Sequence, residues 1–215
     1  MKRLILLLLA TSTLLACEPE QKVINTGISD PYFNGNIMEY LRANDRNWDL
    51  TVQMIERAGL TALFEGQVDT LPEITFFAPP AYSILRFMLE TEEKPIDGMI
   101  FKSLQDIPID SCRRYILKHV VKGKHLKESI AFRNKDYYIF DAEQDGGTDF
   151  VCLGGNHLRA YLEKDDWQGV FEAGPVIMSL YSFTSGRMIP LATPDIQPLN
   201  GVVHALNYKY DFGKI

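Results

Sequence analysis

The sequence carries no block of basic residues, no closely paired histidines or cysteines, no phosphate-cradling loop and no internal repeat. Acidic residues outnumber basic ones by 28 to 22, and the formal net charge is −6. Such a chain has no electrostatic footprint for a phosphate backbone, so nucleic acid is not an expected partner. The histidines, His119, His125, His157 and His204, are scattered, without the CxxC partners or close pairing on one helix that a zinc site shows. No Gly-x-Ser-x-Gly frames a serine nucleophile, no glycine-rich turn is followed by Lys-Ser or Lys-Thr, and no Gly-x-Gly-x-x-Gly opens a helix after a strand. The acid pairs Glu92-Glu93 and Asp165-Asp166 read better as solvated turns than as glycosidase carboxylates. These absences argue against an enzyme, and no cofactor or metal is expected.

What is present begins with a leader. Lys2 and Arg3 precede an apolar run from Leu4 to Ala10, too short and too early for a stable span, and Leu14-Leu15-Ala16-Cys17 follows. This is the pattern of a secretory signal, and its ending resembles the bacterial lipoprotein cleavage box, in which the cysteine becomes the lipid-bearing first residue. The expected division is a signal over 1–16, a lipidated polar tether over 17–31 and a single domain over 32–215. Membrane contact is then expected through lipid on Cys17. Glu18 and Glu20 resemble a surface-export signal of some Gram-negative lipoproteins, so the expected location is the outer membrane, facing the cell surface. Cys112 and Cys152 allow a bridge without demanding one, and their apolar surroundings favour buried free thiols.

The domain is organised around Ile74-Thr75-Phe76-Phe77-Ala78-Pro79-Pro80, a buried strand closed by prolines that cannot donate to a ladder. A helix from Ala81 to Glu90 follows, with Ile84, Leu85, Met88 and Leu89 on its inner side. Upstream, Asn36 and Asn47 are expected to cap two short helices, and Leu60 to Glu65 a further turn. Downstream, Asp110 or Ser111 caps a helix that carries Cys112, Tyr115, Ile116 and His119 and runs to Gly123. His119 reads as a satisfied structural histidine that bonds a backbone carbonyl. After Ala131 come short β-prone runs: Tyr137 to Phe140, Phe150 to Leu153, Leu158 to Leu162, Val170 to Ala173, Val176 to Phe183 and Val202 to Tyr208. Helices followed by closely spaced strands give an α+β class: a largely antiparallel β sandwich or wedge, with a layer of helices drawn mostly from the N-terminal half.

Four segments in order resemble the signature motifs of the fasciclin domain, an adhesion module of extracellular and bacterial surface proteins. They are the strand ending in Phe77-Ala78-Pro79, the run His119-Val120-Val121-Lys122-Gly123, the segment Ala192 to Ile196, and Asn200-Gly201-Val202-Val203-His204. Pro80 and Ala81 stand where that family usually has Thr and Asn or Asp, and Lys118 where an aromatic often precedes the histidine. The resemblance implies a fasciclin-like fold and a non-catalytic module for adhesion or protein interaction, with Phe76, Phe77, Ala78, Pro79, His119, Asn200, Gly201 and His204 as its structural or interacting positions. The partner is then an unspecified protein or glycan at the cell surface. A second reading, from the anchor and the 10 tyrosines, is an accessory glycan-binding lipoprotein of an outer-membrane carbohydrate uptake system. Within Val202 to Leu206, His204 alternates with apolar residues and is expected buried and neutral, bonded to backbone near the Asn200-Gly201 turn.

Overall fold

Five residues with no charge and two aromatic rings, Ile74–Ala78, form a strand (β1) that is buried along its whole length. The computed structural model in which it lies describes residues 30–215; the expected signal, Cys17, Glu18, Glu20 and most of the tether lie outside the described residues. Fully buried strands belong at the centre of a sheet. β1 accordingly lies between β2 (Val120–Lys122), which it meets antiparallel, and β7 (Gly201–Leu206), which it meets parallel with Ile74 opposite Gly201 and Phe77 opposite His204. β7 is buried at all six positions. The remaining strands are β3 (Thr148–Val151), β4 (His157–Lys164), β5 (Val176–Ser182) and β6 (Arg187–Ile196), and among the described residues the order is β2-β1-β7-β6-β5-β4-β3. Leu153, just past β3, donates to the Val120 carbonyl at 2.8 Å, so the two ends of the sheet approach one another and the edges are partly covered.

β6 makes the corner of the wedge. Its first half pairs with β5 from Arg187 to Pro190, its second half pairs with β7 from Leu191 onward, and the register shifts twice between Leu191 and Ile196. Pro190, Pro194 and the left-handed Asp195 (φ 61°) account for the break, because each removes a ladder donor or turns the backbone. Pro31 and Phe33 bond Gln197 and Gly35 bonds Leu199, a short parallel seam that holds the start of the domain against the segment between β6 and β7.

The helices cover one side of β1 and β7. α1 (Ile37–Ala43) begins with a complete capping box, Asn36 and Glu39 each bonding the other's backbone N–H at 2.8 Å. α2 (Asp45–Arg57) is entered from Asn44, three residues before the expected cap Asn47, and the Asn44 side chain bonds the Tyr40 carbonyl instead of capping. After α3 (Thr61–Phe64) and β1 comes α4 (Ala81–Glu93), entered from Pro80 with no side-chain cap. Its inner face is Ala81, Ser83, Ile84, Phe87, Met88 and Thr91, whereas Leu85 and Leu89 are exposed, which corrects the expected face by rotation about the helix axis. Short 3₁₀ turns at Leu104–Asp106 and Lys127–Ser129 flank α5 (Ile109–Leu117), which is entered from Pro108 without the expected Asp110 or Ser111 cap. α5 also stops short of Gly123: Lys118 closes it and the chain turns at once into β2.

Two expected strands are absent among the described residues. Tyr137 to Phe140 is a turn, because Asp141 accepts the Tyr138 N–H and the Gln144 amide donates to the carbonyls of Asn134 and Tyr137. Val170 to Ala173 belongs to a hairpin tip. The sheet faces both ways at β4 and β5: Leu158, Ala160, Leu162, Met178 and Leu180 join the main core, while Tyr161 and Tyr181 alternate to the far face and make a satellite core with Ile139.

Candidate functional site

The motif residues lie inside the scaffold. Phe76 and Phe77 are fully buried, Phe76 edge-on to Phe64 at 4.8 Å, and Pro79, also buried, accepts a 2.7 Å hydrogen bond from the Thr51 hydroxyl through its carbonyl. Ala78 pairs with Ala205 at the end of the parallel ladder. Asn200 ties three elements: its side-chain oxygen accepts the Ile37 N–H at 2.8 Å, its amide donates to the Phe64 carbonyl at 3.0 Å, and its own carbonyl accepts from Ile74. Gly201 follows at φ 152°, and a Cβ there would meet the Ile74 carbonyl oxygen.

His204 is fully buried and stacked on Phe77, ring centroids 5.4 Å apart. Its Nδ1 accepts the Asp195 N–H at 3.1 Å, so the ring hydrogen sits on Nε2, which donates to the His125 carbonyl at 2.9 Å. The backbone partners are thus Asp195 and His125, not the Asn200-Gly201 turn, because the ring, stacked on Phe77, joins β6 to the loop that follows β2. Burial pushes its pKa down, against the opposing pull of the His125 carbonyl and the Asp195 carboxylate. His119 is its counterpart: Nδ1 donates to the Tyr115 carbonyl at 2.7 Å, Nε2 accepts from the Tyr210 hydroxyl at 2.9 Å, and burial lowers the pKa to about 4. Two neutral histidines with every nitrogen engaged offer nothing to a substrate. Among the described residues no three His, Cys, Asp or Glu side chains gather to hold a metal ion.

The accessible chemistry lies around β4, β5 and the hairpin between them, away from every position that the resemblance marks. Between β4 and β5 the chain forms a hairpin whose tip is Trp167-Gln168-Gly169-Val170. Trp167 and Val170 exchange both backbone bonds, at 3.0 and 2.9 Å, around Gln168 (φ 49°) and Gly169 (φ 82°), both left-handed as the tight I′ turn requires. Trp167 (58%), Val170 (59%) and Phe171 (73%) are exposed. Asp166 accepts the Glu172 N–H, Lys135 bridges to Glu172 at 3.0 Å and lies over the Phe171 ring, so the tip is braced while its apolar side chains face solvent. A Gln-Gly pair flanked by Trp and Val is the sequence signal that marks this turn.

A second aromatic surface caps the satellite core. Tyr138 and Phe140 stack in parallel at 5.4 Å, Phe140 approaches Tyr181 at 6.1 Å, and Tyr181 meets Phe183 edge-on at 5.2 Å. Exposed rings held by one another form a preordered contact surface, because little side-chain freedom is left to lose on binding.

No protein-family model and no curated protein matches the chain. It is similar to the solved structure of a FAS1 domain pair from the insect cell adhesion molecule fasciclin I, with 12% sequence identity and a TM-score of 0.50, over 79% of this chain and 46% of that one. The chain thus spans less than half the length of that relative. The likeness extends to the fold, which is fasciclin-like and α+β.

Proposed function

We propose that the protein is a lipid-anchored module of the bacterial cell surface that holds a partner protein through the aromatic hairpin between β4 and β5. The observation that carries the reading is the tip itself, with Trp167 and Phe171 displayed on a braced two-residue turn. Exposed clusters of large apolar groups on a soluble surface mark association sites, and tryptophan is prominent among residues that dominate binding. The fasciclin-like fold supports the reading, since the similar insect structure comes from a cell adhesion molecule. Lipid on Cys17 supplies the membrane attachment, and the polar stretch behind it gives the domain reach.

Adhesion of cells that display the full-length chain tests the reading. The Trp167→Ala, Phe171→Ala double variant should lower cell-to-surface or cell-to-cell adhesion by at least about tenfold, because two central aromatic anchors are lost. Its melting temperature should match the parent's, since neither ring is buried. Undiminished adhesion would remove the hairpin from the function. Cys17→Ser should abolish fatty-acid labelling, and protease added to intact cells should degrade the parent protein; persistence of the label or of the protein would overturn the anchoring and the outward orientation respectively.

A further inference from the structure

The other aromatic surface leads to a different ligand. Beside Phe183, a shallow depression of about 380 Å³ is lined by Asp149 of β3, His157 of β4, Phe183 and Thr184. Asp149 holds Arg159 at two points, Oδ1 to Nε at 2.6 Å and Oδ2 to Nη2 at 2.9 Å. Arg159 in turn lies over the Phe183 ring at 5.3 Å and donates to the Ile139 carbonyl at 3.2 Å. The wall is therefore rigid: the carboxylate is fixed by a bidentate pair and the ring by a cation and by Tyr181.

We infer that this depression and the ring series beyond it bind a neutral glycan. Three features select that class. First, the lining holds no lysine or arginine, and the guanidinium beside it, Arg159, is already neutralised by Asp149, so no fixed cation is free for a uronate, sulfate or phosphate. Second, each oxygen of a carboxylate accepts more than one hydrogen bond, so Asp149, side chain 58% exposed, keeps lone pairs for neighbouring hydroxyls while holding Arg159. Third, Phe183, Phe140 and Tyr138 are exposed at 42%, 56% and 70%, and the C–H face of a pyranose is the apolar surface that packs on the electron-rich face of such rings. Phe183 and Phe140 lie on either side of the buried Tyr181, and Tyr138 stacks on Phe140, so the exposed rings are spread beyond the depression, which favours several linked sugar units over a single one. This site is separate in sequence from the hairpin tip and does not depend on it.

The test is retardation of the full-length chain, in detergent, by native gels containing starch, mannan, xylan or a mixed-linkage β-glucan, beside gels containing heparin or polygalacturonate. Retention by at least one neutral polymer is expected, with none by the charged ones. Phe183→Ala should weaken that retention by at least about tenfold and Asp149→Asn by at least about fivefold. Because Asp149→Asn also breaks an ion pair, Tyr138→Ala provides a variant with no buried contact to lose, and it should weaken retention by at least about threefold. Tyr82→Ala, an exposed aromatic on α4, should bind as the parent does. Migration unaffected by every neutral polymer, retention by charged polymers alone, retention undiminished in both Phe183→Ala and Tyr138→Ala, or capture of a tyrosine- or proline-rich peptide in place of glycan would each overturn the assignment.

Discussion

His119 is a titratable ring enclosed by protein, and its chemistry can be read in the pH dependence of stability. Unfolded, the ring takes its proton near the ordinary value of 6.5; folded, burial holds it neutral down to about 4. Between those values the unfolded chain binds the extra proton, so the contribution is complete above pH 6.5 and declines as the pH falls toward 4. The full difference is on the order of 3 kcal/mol. His204 shifts in the same direction for the same first cause. Ring-proton NMR shifts should therefore show His119 still neutral at pH 5, and a midpoint near 6.5 would contradict the enclosed site. His204→Ala strips an acceptor from the Asp195 N–H and a donor from the His125 carbonyl and leaves a void against Phe77. A loss of about 2 to 4 kcal/mol is expected in a denaturant melt, beside no measurable change for the exposed Leu89→Ala. Equal midpoints for the two variants would contradict that account.

Among the elements, β7 depends on one backbone position. Gly201 opposes Ile74 in the parallel ladder, and a side chain there must displace the Ile74 carbonyl from a strand that is itself buried. Gly201→Ala is expected to cost about 3 kcal/mol or more and to leave much of the protein insoluble, measured as soluble yield and melting temperature. A parent-like melt would show that the two strands can separate. The same strands were legible in the sequence, since β1 and β7 are uncharged, mostly apolar runs, the first closed by Pro79-Pro80 and the second opened by Asn200-Gly201. β6 was not, because its two prolines break the apolar pattern and read as loop; the strand survives them by changing partner where the prolines fall. β2 was hidden inside a helical pattern, three residues being too few to show a period of two. Tyr137 to Phe140 has the composition of a strand, but Asp141 and Gln144 satisfy its backbone locally and leave its rings for the surface. The site escaped for a related reason: its aromatics look like core residues in sequence, and only the sheet topology separates the face with Tyr161 and Tyr181 from the one with Leu158 and Leu180.

At the scale of the molecule, the main core between helices and sheet encloses both thiols that the described residues contain. Cys112 and Cys152 are free and buried, and burial raises the Cys112 thiol and pushes Cys152 up to about 12, far from the thiolate form that reacts. Iodoacetamide should leave both untouched in the native protein and label both in denaturant without prior reduction. Labelling that needs a reductant would mean that the two had been oxidised to a bridge.

The seam at the start of the domain has a mechanical consequence. Gln197 takes a backbone bond from Phe33 and gives one to Pro31, and Leu199 donates to Gly35, with the two segments running in parallel. A pull applied at Asp30 and directed along the two segments runs across their hydrogen bonds, so the bonds resist in shear and must fail together. Forced opening is then governed by one concerted rupture rather than by successive unzipping. Tension entering at Asp30 would meet its first resistance there, at the start of the domain, before it reaches the strands that carry the aromatic surfaces.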